Sequence, residues 1–221
     1  MSITVVPDAP APVGSTDFTG GWANAAVALD RPYATLSAEV GSPTSCEEMR
    51  AWAGNHASYD LGHTTVGLLL QSSQPLAVAV DSVKVTVLSA SPPPSGQHLA
   101  FCQGPGGASM YVRGLYVDLD ASPPRTYYVD DAGEEQKQWE PFQVLPGESV
   151  MLYVRAEGMN ADYRWLVTIR LVIDGKVAVV SVPDTAKGFR TVGATDPVTV
   201  ESGGRGTWSP ELRALIKSAL W

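Results

Sequence analysis

The sequence predicts an all-β fold, an antiparallel β-sandwich of about nine or ten strands with an immunoglobulin-like or jelly-roll-like arrangement. Twenty-one Gly and seventeen Pro, spread without a period over 221 residues, indicate many turns. Valine-rich segments between those turns indicate strands. With 44% hydrophobic and only 17% charged residues, a chain of this length can bury a sizeable core.

The clearest strand patterns lie in the middle and the second half of the chain. They cover residues 64–71, 76–80 with 82–89, 110–120, 149–157 and 163–173. In the last of these, five alternate apolar residues share one face: Trp165, Val167, Ile169, Leu171 and Ile173. Asp174-Gly175 follows directly and predicts a tight hairpin into a strand over 176–182.

The β domain is predicted over residues 22–200, with a short helix inside it and an arm ahead of it. A capping-type residue, early carboxylates and the spacing of Met49 and Trp52 predict the helix near residues 45–54. Residues 1–21, rich in Pro, Gly, Ser and Thr, predict a flexible arm whose SITVV start would add a strand to a neighbour. The glycine-rich residues 201–208 predict a linker.

Residues 209–221 predict a tethered amphipathic helix. Ser209-Pro210-Glu211 supplies an N-cap, a proline at the first helical position and an early acid. An apolar stripe at helical spacing, with two flanking tryptophans, is the candidate partner-binding surface: Trp208, Leu212, Leu215, Ile216, Ala219, Leu220 and Trp221. This stripe either covers the end of its own β domain or enters a groove on another chain.

The charge of the chain argues against several classes of partner. The formal net charge is −8 and the isoelectric point is near 4.8, whereas nucleic-acid phosphates and anionic membrane surfaces attract clustered Lys and Arg. The N-terminus has no secretory signal pattern, and no stretch approaches the roughly 20 apolar residues of a membrane span. The expected location is cytoplasmic for the chain as given, and extracytoplasmic if it belongs to a longer protein.

The acidic stretch VDLDASPPRTYYVDDAGEEQ, residues 117–136, is the strongest chemical signal in the chain. Asp118 and Asp120 lie two apart at a strand end and would share one face, and Asp130 and Asp131 would add oxygens if the segment folds back. Calcium accepts such ligands, so these four residues are the candidate metal ligands. The spacing does not match the twelve-residue calcium loop, and the alternative is a structural turn with solvated acids.

No catalytic residue and no resident cofactor is predicted. The sequence has no GxSxG elbow and no visible Ser, His and Asp triad, and the glycine-rich residues 104–109 lack the spacing of a phosphate-binding loop. His56 and His63, with Asp60 between them and Cys46 upstream, lack the tight ligand pairs of zinc sites. They are interpreted as loop or strand-edge histidines.

The cysteines and tryptophans leave two questions open. Cys46 and Cys102 are either a disulfide of an exported domain or two small buried hydrophobes. Trp52 and Trp165 lie in apolar patterns that predict core positions. The remaining tryptophans are candidates for a carbohydrate-stacking surface: Trp22, Trp139, Trp208 and Trp221.

Six motifs follow one another over about residues 60–195: TTVGLLLQSSQPLAVAVDSVKVTV, FCQGPGG, YVDLDASPP, EPFQVLPGESVMLYVRAE, YRWLVTIRLVIDGK and PDTAKGFRTVG. In this order they resemble an uncharacterised β domain that recurs in actinobacterial proteins. The family often carries this domain after a membrane helix or a DNA-binding module, so the resemblance implies a sensor or interaction role. This chain has neither module, and the family supplies no catalytic residues to carry over.

The leading functional prediction is a non-catalytic protein–protein interaction or assembly module. It would bind another protein or another copy of itself, by strand addition through the N-terminal arm and by docking of the C-terminal helix. The alternative is an extracytoplasmic domain that recognises calcium or a glycan through loops at one end of the sandwich, and that contains a Cys46–Cys102 disulfide. A hydrolase with an unrecognised site ranks third, because no nucleophile and base pair is visible.

Overall fold

The computed structural model describes residues 2–7, 24–29, 58–72, 77–95, 98–103, 114–129, 135–136, 138–183, 187–193, 199–202 and 206–207. The regular secondary structure of these residues is all β, in two sheets, which confirms the all-β part of the predicted fold class. The sheets are mixed and not purely antiparallel as predicted, since three of the described strand pairs are parallel. Both predicted helices, near 45–54 and at 209–221, lie outside the described residues. Within the described ranges, no helix is long and apolar enough to span a bilayer.

The described residues form sixteen strands, more than the nine or ten predicted, because several are short pieces inside predicted loops. In chain order they are β1 (Ser2–Pro7), β2 (Asn24–Leu29), β3 (Ser58–Leu61), β4 (His63–Gln71), β5 (Val78–Ser91), β6 (His98–Gln103), β7 (Gly114–Asp118), β8 (Arg125–Val129), β9 (Glu135–Gln136), β10 (Phe142–Val144), β11 (Ser149–Glu157), β12 (Asp162–Ile173), β13 (Lys176–Val182), β14 (Phe189–Val192), β15 (Thr199–Ser202) and β16 (Gly206–Thr207).

Six strands form the first sheet, in the order β1, β4, β11, β7, β8, β9. β11 runs antiparallel to β4 along its full length and parallel to β7 on its other side. β1 pairs antiparallel with β4 of the same chain, from Ser2 opposite Gln71 to Pro7 opposite Val66. The start of the predicted arm is therefore a strand at the edge of its own sheet.

Ten strands form the second sheet, in the order β10, β5, β12, β14, β3, β2, β6, β15, β16, with β13 attached to β12. β12 pairs with β5 over its full length. On its other side β12 pairs first with β14 and then, from Val167 to Ile173, with β13. β5 has two bulges, at Asp81 and Leu88, where it carries one residue more than β12.

The apolar faces of the two sheets share one hydrophobic core. β4 contributes Val66, Leu68 and Leu70, and β11 contributes alternate residues at the same level. From the second sheet, Trp165 and Val167 of β12 are completely buried. β4, β11 and β12 each place every second residue in this core, because side chains alternate between the two faces of a sheet.

The strongest local predictions are confirmed. β11 spans the predicted residues 149–157, and β12 begins one residue before the predicted 163–173. At the hairpin between β12 and β13, Asp174 has a φ of 50° and Gly175 a φ of 71°, the positive values that a two-residue turn of this kind requires. Trp165 lies in the core as predicted, and Arg170 lies exposed on the opposite face of β12.

Candidate functional site

Asp118 is the last residue of β7, and its carboxylate closes the bend that follows. Its Oδ1 accepts hydrogen bonds from the backbone N–H groups of Asp120, at 2.9 Å, and Ala121, at 3.2 Å. An aspartate that bonds the backbone two residues ahead forms an Asx turn, a common way to end a strand. The bend leads through residues 119–124 into β8, which returns antiparallel to β7.

Asp120 binds a second loop, some forty residues further along the chain. Its Oδ2 accepts the N–H of Met159 at 2.8 Å, and its Oδ1 accepts the N–H of Asn160 at 3.0 Å. The same Oδ1 accepts the hydroxyl of Tyr163 at 2.6 Å. The carboxylate therefore fixes the connection between β11 and β12 to the end of β7.

Tyr163 completes this corner of the fold. Burial raises the pKa of its hydroxyl far above the ordinary value, and the hydrogen bond to Asp120 raises it further. The ring packs against Gly158, where a Cβ would come within 2.5 Å of a ring carbon. Gly158 therefore has no room for a side chain unless Tyr163 moves.

The structure brings two of the four predicted metal ligands to one corner and uses both as hydrogen-bond acceptors. Asp130 and Asp131 lie outside the described residues, so the calcium site stays a prediction. Within the described part of the chain, no group of three or more His, Cys, Asp or Glu side chains is arranged to hold a metal ion. What the geometry supports here is a structural role for Asp118 and Asp120.

A chain of hydroxyl groups connects the two sheets through the core. Trp165 Nε1 donates to Thr191 Oγ1 at 3.0 Å, and Thr191 Oγ1 donates to Thr64 Oγ1 at 2.8 Å. Thr64 Oγ1 in turn donates to the carbonyl of Arg190 at 2.7 Å. Because Thr64 belongs to β4 and Thr191 to β14, this chain of hydrogen bonds links the first sheet to the second.

A buried ion pair lies on the face of the first sheet that is turned away from the shared core. Arg155 Nε lies 2.5 Å from Glu157 Oε1, and the two side chains are only 4% and 7% exposed. Glu157 stands directly across from His63 on β4 and from Asp118 on β7. His63 is also buried, at 4% exposure, and it begins a strand as the sequence predicts.

The burial of Glu157 has an electrostatic consequence. Desolvation raises the pKa of its carboxyl group, while the neighbouring Arg155 guanidinium lowers it, and Asp118 adds a smaller upward contribution. The net direction is upward. This pair is not among the residues predicted from the sequence, although two opposite charges two residues apart on a strand lie on the same face and form a recognisable signal.

Trp139 lines a shallow depression together with Tyr128 and Gln138, with a free volume of about 20 Å³, room for about one water molecule. The Trp139 ring packs edge-on against Tyr128, with ring centroids 5.4 Å apart, and tilted against Phe142 at 5.7 Å. Its Nε1 donates to the carbonyl of Val80 at 3.3 Å. The predicted role of Trp139 in glycan binding stays a prediction.

The far edge of β13 is the candidate interaction surface. Among the described residues β13 pairs only with β12, so it ends the second sheet beside the second half of β12. Val177 and Val179 point away from the core and are 53% and 62% exposed, the two largest exposures among the large hydrophobic residues described. The sequence of β13, KVAVVSV, has valines on both faces of the strand. In an edge strand such valines cannot all be buried, so the sequence indicates that some of them are exposed.

The seven residues predicted to bind a partner lie outside the described part of the chain: Trp208, Leu212, Leu215, Ile216, Ala219, Leu220 and Trp221. Their role in docking a partner stays a prediction. No protein-family model, no curated protein sequence and no solved structure matches this chain. The resemblance to the actinobacterial β domain therefore also stays a prediction.

Proposed function

We propose that this chain is a non-catalytic protein-interaction module, built on a β-sandwich, that binds another chain by strand addition at the edge of β13. The observation that carries the proposal is the exposure of Val177 and Val179 on a regular seven-residue edge strand. Such an edge presents unpaired backbone donors and acceptors in a row, and an added strand satisfies them while its side chains cover the valines.

The composition of β13 supports this use of the edge. Natural sheets protect their edges with charges, prolines or bulges, because an unprotected edge pairs with other chains. β13 carries one charge, Lys176, at its first residue, and it pairs with β12 in continuous register up to Val182. From Val177 to Val182 it has no charge, no proline and no bulge, so this part of the edge is well suited to accept a strand.

The outer face around β13 adds an apolar surface to the backbone edge. Val172 of β12 stands beside Val177, and Ala79 of β5 stands beside Val172, both half-buried. On the next level, exposed Arg170 forms an ion pair with Asp81, with 2.5 Å between Nη1 and Oδ2. A partner strand with small apolar side chains on its outer face would extend this apolar strip.

The predicted C-terminal helix belongs to the same proposal, whereas the start of the predicted arm does not, because β1 pairs with β4 of its own chain and not with a neighbour. Docking of the apolar stripe of residues 209–221 would add area that a single added strand does not supply, and stable interfaces bury about 1,200 to 2,000 Å² in total. Removal of residues 209–221 is therefore expected to weaken binding to a partner and to leave the β domain folded.

A labelled peptide tests the strand-addition proposal without knowledge of the natural partner. The probe is an extended peptide of alternating Val and Thr with a lysine at each end for solubility, and the measurement is fluorescence anisotropy against the full chain. Val179→Lys, which places a charge in the middle of the edge, is expected to weaken peptide binding about tenfold or more. Leu145→Lys is the matched control, because Leu145 is 45% exposed in a turn away from β13.

Binding that the Val179 variant weakens and the Leu145 variant preserves supports strand addition at β13. A peptide that does not bind, or that binds the Val179 variant as well as the unaltered chain, would rule it out. Circular dichroism and a thermal melt of each variant show that both substitutions leave the fold intact, which their exposed positions predict.

A further inference from the structure

We propose that the partner at this edge is a second copy of the same chain, bound by antiparallel pairing of two β13 strands about a two-fold axis at Val179. This inference rests on the proposed function, since it names the partner of the same edge. The paired strands would join the two ten-stranded sheets into one continuous sheet across the dimer.

The residues on either side of Val179 are small enough for β13 to pair with its own copy. Pairing with the axis at this residue places Ala178 opposite Val180 and Val177 opposite Ser181 of the second copy, and Val179 opposite itself. In an isologous interface each contact occurs twice with the roles exchanged, so the strand needs side chains that fit those of its own copy. All the residues from Val177 to Val182 are small or β-branched, so the side chains facing each other across the axis have similar sizes.

The single charge of β13 distinguishes antiparallel from parallel pairing of the two copies. Lys176 is the only charged residue of β13 and it stands at one end. Antiparallel pairing about Val179 places the two Lys176 residues at opposite ends of the paired segment, six residues or about 20 Å apart. Parallel pairing would place them side by side, which is unfavourable for like charges. The charge pattern therefore selects the antiparallel arrangement that a two-fold axis produces.

The exposed valines on the outer face of the sheet also favour pairing of two copies. Val177 and Val179 are more than half exposed in the single chain. In the paired arrangement each Val177 stands next to Ser181 of the second copy, and the two Val179 side chains face each other. The two Val179 side chains therefore cover each other at the axis, whereas a partner strand with charged residues on this face would place a charge beside them.

Sedimentation velocity of the full chain over a wide concentration range tests the inference. The expected result is a monomer–dimer equilibrium, with Val179→Lys weakening dimerisation about tenfold or more and Leu145→Lys leaving it unchanged. A chain that stays monomeric at millimolar concentration, or a dimer that Val179→Lys does not weaken, would overturn self-pairing. The proposed function is judged separately, because the peptide experiment can succeed on a chain that stays monomeric.

Cysteine cross-linking tests the register. In a background with Cys46→Ala and Cys102→Ala, one preparation carries Val177→Cys and the other carries Ser181→Cys. A short bifunctional maleimide is expected to join the two preparations when they are mixed and to join neither with itself, because residue 177 faces residue 181 across the axis. A mixture of Val177→Cys with Lys84→Cys is the control, since Lys84 is exposed on β5 away from this edge. Equal cross-linking in the control, or self-linking of the Val177 variant, would contradict the proposed register.

Discussion

Thr191 joins the two sheets through the hydrogen bonds of its side-chain hydroxyl. Its hydroxyl accepts from the Trp165 indole and donates to Thr64, in a region from which water is excluded. Buried polar groups are stable only when their hydrogen bonds are made, so each member of this chain of bonds depends on its neighbours.

Replacement of Thr191 by valine keeps the shape of the side chain and removes its hydroxyl. The Trp165 N–H then loses its acceptor, and we expect the free energy of unfolding to fall by about 1–3 kcal/mol. Urea titration followed by tryptophan fluorescence measures the change. Thr86→Val on the exposed face of β5 is the matched control and is expected to change stability by less than about 0.5 kcal/mol. Equal stability of the two variants would contradict the importance of this hydroxyl.

Asp120 is the second residue on which the fold depends. The change Asp120→Asn replaces one acceptor oxygen by an N–H₂ group, which cannot accept the backbone N–H of Met159 or Asn160 at the same place. We expect a loss of about 2 kcal/mol or more in the free energy of unfolding. Asp174→Asn is the control, because Asp174 is exposed at the hairpin tip and asparagine tolerates a φ of 50°. A loss of stability that appears only when calcium is withdrawn would support Asp120 as a calcium ligand and would contradict its role as a structural hydrogen-bond acceptor.

Glu157 gives stability a pH dependence of a particular sign. Burial raises its pKa in the folded chain, so the folded state holds the proton more tightly than the unfolded state does. Stability is therefore expected to fall as the pH rises from the ordinary value of 4.5 through the raised pKa. Glu157→Gln does not titrate, and this part of the fall should be missing from its profile of unfolding free energy between pH 4 and 8.

Exposed Glu140→Gln is the control for that experiment and should keep the profile of the unaltered chain. A Glu157→Gln profile parallel to that of the unaltered chain would show that Glu157 does not titrate with a raised pKa. Because the uncharged glutamine side chain takes the place of the protonated carboxyl group, the stability of Glu157→Gln relative to the unaltered chain is expected to rise with pH across this range.

At the scale of secondary-structure elements, the sequence predicts the features that depend on residues close together in the chain. The Asp174-Gly175 hairpin and the alternation of β12 follow from local turn chemistry and from side-chain periodicity. The strand predicted in two parts, 76–80 with 82–89, is one strand, because a bulge at Asp81 lets β5 continue past the irregular residue. A bulge changes the pattern of alternation and resembles a break when only the sequence is read.

Contacts between elements that are distant in the sequence cannot be predicted from local sequence patterns. The sequence predicts Asp120 as a metal ligand or as a solvated acid of a turn, and the structure shows its carboxylate holding the loop at Met159 and Asn160, because β11 runs parallel beside β7. The order of strands in a sheet is decided by the packing of the whole core, and periodicity does not contain that information. The structure gives two acids of residues 117–136, Asp118 and Asp120, hydrogen bonds to the backbone that their spacing in the sequence does not show.

The edge strand β13 is predictable from the sequence only in part. Its position after a tight hairpin is predictable, and its valine-rich sequence indicates exposed apolar residues. Its place at an edge depends on β14 and β13 sharing one side of β12, which only the fold shows.

At the scale of the whole molecule, the net charge of −8 opposes association of two copies. Salt screens repulsion between charges separated by more than about 10 Å at 0.1 M, while the apolar contact at the paired edge does not weaken. We therefore expect dimerisation to strengthen between 20 mM and 500 mM sodium chloride, measured by sedimentation velocity. A dimer that dissociates as salt is added would be held by ion pairs, contrary to the uncharged edge from Val177 to Val182.

Hydrogen exchange of β13 at increasing protein concentration tests the central claim most directly, because it reads the backbone of the proposed edge itself. The N–H groups of an unpaired edge exchange readily, and an added strand protects them. The expected result is protection of residues 176–182 that grows with concentration in the unaltered chain and not in Val179→Lys, with β12 protected throughout. Exchange of residues 176–182 that is independent of concentration, in a sample whose dimerisation is demonstrated in parallel, would contradict pairing at this edge.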